Sequence, residues 1–147
     1  MTKTIVEKLN LTKYKKVAVL DLPEGSDYLS GLPRYETKLE PNQSYDLIFS
    51  FVLNMESLKS IVDKVKSQNF LIQNGYLLLA YPKKGNKKYT SYIHRDSLFE
   101  GLGADENGYI GESTIKFNRM VGLDDVFTIV GLKEDSKSKN ATSSKAS

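Results

Sequence analysis

Apolar residues in this chain come in short continuous runs more often than in strict alternation. Residues 17–22, Val-Ala-Val-Leu-Asp-Leu, are apolar except for Asp21 and lie between the Lys15-Lys16 pair and Pro23-Glu24-Gly25. Residues 45–52, Tyr-Asp-Leu-Ile-Phe-Ser-Phe-Val, and residues 76–81, Tyr-Leu-Leu-Leu-Ala-Tyr, have the same character. Runs of this length bounded by turn residues predict strands buried on both faces, as central parallel strands are. Between the second and third runs, Asn54 precedes Met55, Leu58, Ile61, Val62 and Val65 at i, i+3, i+4 spacing, with Lys59, Asp63, Lys64 and Lys66 largely off that stripe. This predicts a capped amphipathic helix. Strand, helix, strand makes a βαβ crossover, closed by a turn at Asn74-Gly75 where glycine tolerates a positive φ.

The remaining segments complete an α/β order. Residues 27–32 have room for one or two helical turns, and residues 35–39 alternate as an outer strand before Pro41. Residues 91–103 read as a helix with Ile93, Leu98, Phe99 and Leu102 partly on one face and Gly101 or Gly103 near its end, followed by a loop at 104–111. Residues 113–119 alternate, residues 126–132 are apolar and β-branched, and Gly122-Leu123-Asp124-Asp125 separates them, which predicts an antiparallel pair closing the sheet. From Glu134 to Ser147 no side chain larger than alanine is available to join a core, so a domain of residues 1–133 followed by a disordered polar tail at 134–147 is expected. The sum is an α/β protein with a three-layer, Rossmann-like sheet and a terminal antiparallel strand pair.

Composition narrows the chemistry. The chain has 147 residues, 39% hydrophobic and 27% charged, with no cysteine and one histidine. Thiolate catalysis, cysteine zinc sites, iron–sulfur clusters and disulfides are excluded, and little remains for a histidine-rich metal site. Twenty-one Lys and Arg against eighteen Asp and Glu give +3, a balance that does not by itself argue for a nucleic-acid or membrane partner. The opening residues contain no continuous apolar stretch, and the longest uncharged apolar-rich run, 70–82, is interrupted by Gln73-Asn74-Gly75 and falls short of the ~20 residues a membrane span requires. A cytoplasmic location with no membrane partner is the expectation. No G-x-x-x-x-G-K-[ST] and no G-x-G-x-x-G occurs.

Three pieces taken together carry a resemblance: 17–25 ending in Pro23-Glu24-Gly25, 45–52, and Gly75 through Lys84 ending in Tyr81-Pro82-Lys83-Lys84. They resemble an uncharacterised bacterial family, a domain of unknown function with a degenerate class I S-adenosylmethionine-dependent methyltransferase-like Rossmann fold. The Pro-Glu-Gly turn and the aromatic-Pro-Lys-Lys turn are its most telling parts, and the likeness spans most of residues 14–133. The resemblance implies a methyltransferase-like sheet and raises S-adenosylmethionine as a cofactor. An active enzyme of that kind places several glycines after its first strand for close approach of the cofactor, whereas this chain has Gly25 alone, Pro23 lacks an N–H, and Glu24 adds charge. The acid expected to hold ribose hydroxyls at the end of the second strand falls to Glu40, and no Asn-Pro-Pro-Tyr-like turn follows residues 45–52.

Ligands of open α/β sheets bind beyond the carboxyl ends of the strands, which directs attention to the turns at 22–27, 52–56 and 81–88, and within them and beside them to Asp21, Pro23, Glu24, Gly25 and Ser26 after the first strand and to Tyr81, Pro82, Lys83 and Lys84 after the third. Lys83, Lys84, Lys87 and Lys88 fall within six positions between Tyr81 and Tyr89, a pattern suited to a phosphate, a carboxylate or a nucleic-acid backbone with the tyrosines available for stacking, or to plain solvation. Asp21 and Glu24 are placed to hold a ligand or to cap the next segment. His94 lacks a serine nucleophile to complete a triad, and Asp105-Glu106 and Asp124-Asp125 lack the alternating oxygen pattern of a calcium loop. Three readings stay open. The first is a non-catalytic module binding a small anionic ligand or a protein, the second an S-adenosylmethionine-dependent methyltransferase with an atypical cofactor loop, and the third a nucleic-acid-binding module.

Overall fold

A computed structural model describes residues 5–135 apart from 24, 26, 27, 30, 33, 34, 69, 105–107, 111 and 112, with the backbone alone described for Arg95, Asp96 and Phe99. The elements are α1 (Ile5–Lys8), a 3-10 turn (Leu11–Lys13), β1 (Val17–Leu20), β2 (Tyr45–Phe51), α2 (Met55–Gln68), β3 (Leu71–Pro82), α3 (Arg95–Leu102), β4 (Ile115–Gly122) and β5 (Phe127–Glu134). They form one five-stranded sheet in the order β1-β2-β3-β5-β4. β1, β2 and β3 are parallel, and β5 runs antiparallel to both β3 and β4.

The continuous apolar runs have the cause expected of them, because both faces of the sheet are covered. On one face Ile48, Leu77, Leu79, Val130 and Leu132 pack with Leu58, Val62 and Val65 of α2 and with Leu98 and Leu102 of α3. On the other, Val19, Phe49, Leu78 and Ile129 pack with Ile5, Val6, Leu9 and Leu11 from the start of the chain and with Leu29 and Leu32. The chain therefore forms the expected α/β, three-layer sheet with its terminal antiparallel pair. The sequence pattern predicted no element before Val17, because four helical residues are too few to show a periodicity, yet Ile5, Val6, Leu9 and Leu11 pack against one face. Tyr14, edge-on to Tyr76 at 6.0 Å, is part of the same cover, and burial together with the Tyr76 phenol pushes its hydroxyl up to about 12.

Several boundaries move. The expected strand at 35–39 is reduced to a single parallel bridge between Glu36 and Ala18, and the expected helical turn at 27–32 is a turn in which the Leu32 N–H donates to the Leu29 carbonyl at 3.0 Å, with Asp27 and Ser30 outside the described residues. The turn expected at Asn74-Gly75 lies within β3, which starts at Leu71. The pairing with β2 jumps there, from Tyr45–Leu71 to Leu47–Tyr76, so the extra residues bulge out. Asn74, with φ 69, takes the left-handed conformation that was expected of its glycine. Residues 91–93 belong to no helix, Ile93 being pinned by its N–H donating to the Pro82 carbonyl at 2.8 Å, and the helix is confined to α3. Pairing reaches Glu134, one residue past the expected end of the domain, and residues 136–147 lie outside the described residues. Among the described residues no helix is long and apolar enough to cross a membrane.

Candidate functional site

β1 ends at Leu20, and the chain leaves through Asp21 with φ 56, a left-handed conformation that aspartate adopts more readily than most residues. The connection out of β1 runs over the α1 face, where Leu22, Tyr28, Leu29 and Leu32 pack, and returns beside the outer edge of β1 at Glu36. The connection out of β2 is α2, on the opposite face. Asn54 opens that helix, its Oδ1 accepting the Ser57 N–H at 2.8 Å and its carbonyl accepting the Leu58 N–H at 3.1 Å. Successive connections thus leave β1 and β2 on opposite faces and in opposite directions, the arrangement that opens a crevice at the carboxyl ends of parallel strands.

A crevice of about 660 Å³ lies there, between Asp21, Thr37, Lys38, Ser50, the α2 cap Asn54 and the α2 residues Glu56, Ser57, Ser60 and Lys64. Its volume is that of a small-molecule site. Ser50 is its most informative residue. It shares the α2-facing side of β2 with Ile48 and Val52, is only 2% exposed, and is the buried polar residue among the described ones. Its hydroxyl has no hydrogen-bond partner among the described residues. A buried hydroxyl left unpaired costs about 1–3 kcal/mol, so a partner supplied from the crevice is the natural complement. Around it, Asp21 and Glu56 bring carboxylates, Lys38 and Lys64 bring ammonium groups, and Thr37, Ser57 and Ser60 bring hydroxyls. Lys38 is also 3.5 Å from Glu40. The lining is balanced in charge and dense in hydrogen-bonding groups.

Of the candidate site residues named singly from sequence, Asp21 lines this crevice, and so do Val52, Asn54 and Glu56 of the turn expected after the second strand. Pro23 and Gly25 lie beyond it, Gly25 with φ 76 and open space where a Cβ would stand, so its conformation alone accounts for the glycine. Glu24 and Ser26 lie outside the described residues. Tyr81 is corrected as a stacking residue: the alternation of β3 turns it onto the α2 face at 2% exposure, its hydroxyl 3.7 Å from the Met120 Sδ. Pro82 is buried opposite Phe127, while Lys83 is half-buried and Lys84 exposed. Glu40 does not line the crevice, and its amide donates to the Tyr45 hydroxyl at 2.9 Å. Asp124 is a turn cap, its Oδ1 accepting the Val126 and Phe127 N–H groups at 2.8 Å each while Oδ2 accepts from the Tyr28 hydroxyl. Burial pushes its carboxyl up, but these hydrogen bonds and the Lys83 charge prevail and hold it below the usual carboxylate range. His94 is exposed just before α3, and its carbonyl accepts the Leu98 N–H at 3.0 Å; Asp105 and Glu106 lie outside the described residues. No group of three His, Asp or Glu side chains converges to hold a metal among the described residues.

The sequence reading passed over Ser50, Ser57 and Ser60. The available signal was a lone serine inside an otherwise apolar buried run and two serines near the start of the following helix.

No family model matches the chain, and no curated protein matches it. Among solved structures the chain is similar to a ribosomal protein L11 methylase from Lactobacillus delbrueckii subsp. bulgaricus, with 13% identity and a TM-score of 0.46, over 82% of this chain and 58% of that one. It is also similar to a SAM-dependent methyltransferase from Aquifex aeolicus, with 18% identity and a TM-score of 0.49, over 81% of this chain and 69% of that one. The chain spans less than two thirds of the first of these structures.

Proposed function

We propose that this protein is a small-molecule-binding module whose ligand occupies the crevice at the carboxyl ends of β1 and β2, and that it belongs with the methyltransferase-like bacterial domains its turns resemble. The buried, unpaired hydroxyl of Ser50 carries this reading. Two carboxylates, two ammonium groups and several hydroxyls favour a neutral or zwitterionic ligand rich in hydroxyl and amino groups over a simple anion. Asp21 and Glu56 would accept from ligand hydroxyls or a cationic group, Lys64 would donate to a carboxylate, and Ser50 would fix the buried end.

The second reading, methyl transfer from S-adenosylmethionine, uses the same site. That cofactor joins a ribose diol, an amino-acid zwitterion and a sulfonium cation, which the mixed lining is able to match. The protein's part would be to orient methyl donor and acceptor, since the transfer itself needs little beyond alignment.

Thermal shift and calorimetry on the full chain with S-adenosylmethionine, S-adenosylhomocysteine, nucleosides and simple phosphates test both readings. A ligand of the crevice must raise the melting temperature by mass action, by about 2.7 kcal/mol of stability at a hundredfold excess over Kd. Ser50→Ala is expected to weaken that ligand at least tenfold without lowering the melting temperature of the free protein. Binding unaffected by Ser50→Ala, or a response to phosphates alone, overturns the crevice as the site. Binding of both S-adenosyl compounds without methyl transfer to any acceptor retains the module and rejects the enzyme.

A further inference from the structure

The connection from β3 to α3 forms a second surface, separate from the crevice. It carries Lys83, Lys84, Lys87 and Lys88 within six positions. Lysines on a loose turn would be merely solvated, but this turn is fastened. The Lys83 N–H donates to the Val126 carbonyl at 2.9 Å and the Ile93 N–H to the Pro82 carbonyl at 2.8 Å, which closes both ends of the loop. In its middle, the Asn86 Nδ2 donates to the carbonyls of Lys83 at 2.8 Å and Ser91 at 3.3 Å, while its Oδ1 accepts the N–H groups of Lys88 at 3.1 Å and Tyr89 at 2.7 Å. The Tyr89 ring lies 5.7 Å from that of Phe127, so the loop is also anchored to the core. The backbone that displays the lysines is set before any ligand arrives, which lowers the ordering cost of binding.

The charge on this surface is available. Lys84, Lys87 and Lys88 are exposed and make no ion pair among the described residues, the Lys88 Nζ lying 5.7 Å from the centre of the Tyr89 ring. Of the nearby acids, Asp124 is occupied by Tyr28 and two amides, which leaves Asp125 facing Lys87 and Lys88 across a hollow of about 640 Å³. The same loop carries Tyr92, 50% exposed, the most open of the large apolar side chains described. Cations on a fastened backbone, with an open aromatic ring on the same loop, are what a single-stranded nucleic acid requires, with phosphates neutralised by ammonium groups and a base stacked on the ring. An acidic peptide would use the cations and leave the ring idle.

We infer that the loop at residues 83–92 binds single-stranded nucleic acid without sequence preference, Lys84, Lys87 and Lys88 meeting phosphates and Tyr92 stacking on a base. Fluorescence anisotropy of the full chain with a labelled mixed-sequence single strand, between 50 and 200 mM salt, reads this directly. Three neutralised phosphates give a slope of about −2.1 in log K against log salt, so affinity falls about eighteenfold over that range. Lys84→Gln with Lys87→Gln should cut the slope to about a third, Tyr92→Ala should weaken binding about fivefold with the slope unchanged, and Asn86→Ala should weaken it with no charge removed. Melting curves of each variant confirm folding, and replacement of Lys137, Lys139 and Lys145 by Gln controls for the tail. The inference is overturned by absence of binding, by a slope that the loop variants leave intact, or by loss through the tail variant alone. It is equally overturned if a poly-glutamate peptide binds as well as the strand and Tyr92→Ala affects neither.

Discussion

Gly75 and Gly101 look alike in sequence and differ in what a methyl group would meet. A Cβ on Gly75 would lie 2.9 Å from the Ile72 carbonyl oxygen and 3.1 Å from that of Tyr45, both backbone atoms fixed by the bulge between β2 and β3. A Cβ on Gly101 would lie 2.7 Å from the Met55 Sδ and 3.3 Å from the Lys59 Cε, the far ends of flexible side chains. Gly75→Ala is therefore expected to destabilise by about 1–3 kcal/mol in urea denaturation, since backbone cannot step aside cheaply. Gly101→Ala is expected to stay within about 1 kcal/mol of the parent, because the gain in helix propensity offsets the displacement of methionine. Equal losses would show that α2 and α3 are packed too rigidly for Met55 to move. The sequence marked Gly75 as conformationally permissive. Its role is instead to keep a Cβ out of a narrow space, which depends on where Tyr45 lies on the neighbouring strand.

At the scale of elements, the five strands and α2 were legible because the central strands are apolar runs buried on both faces, the terminal pair is apolar or alternating, and α2 buries one face at the helical period. Asn54 was legible as a cap for the same local reason: its carboxamide reaches an amide three residues on. What local pattern could not show was α1, the span of β3 through its bulge, or the true start of α3, each set by partners distant in sequence. The β4–β5 turn illustrates how a local cap reports on its element. With the Asp124 carboxyl held below the usual range in the folded chain, its contribution is present above the ordinary carboxylate pKa and is lost as pH falls through the lower folded value. Asp124→Asn should lower stability at pH 7 by about 0.5–1 kcal/mol, the modest worth of hydrogen bonds at a largely exposed turn. The gap to the parent should close in acid, where both side chains are neutral. Denaturation at pH 7 and at progressively lower pH measures this, and a gap independent of pH would mean that the carboxylate charge plays no part.

For the whole molecule, the decisive feature is that two cores share one sheet. Ile48 and Leu77 point to one face and Phe49 and Leu78 to the other, on the same two strands, so neither core can be exposed without disturbing the pairing that supports the second. Unfolding followed by far-ultraviolet circular dichroism and by tyrosine absorbance should give coincident transitions. Separate transitions would show that the α1 cover, with Tyr14 against Tyr76, melts independently of the helix face. Sequence alone determined the α/β class, the parallel order implied by a helical crossover, the antiparallel ending and the absence of thiol chemistry, because these follow from local periodicity and composition. It also placed four lysines on one turn. Only the tertiary structure decided which strand ends enclose the crevice, that Ser50 is buried there without a partner among the described residues, and that Tyr81 faces the core. Those facts depend on which face each connection crosses and on side chains brought together from Asp21, Ser50 and α2, and no local pattern encodes such a meeting.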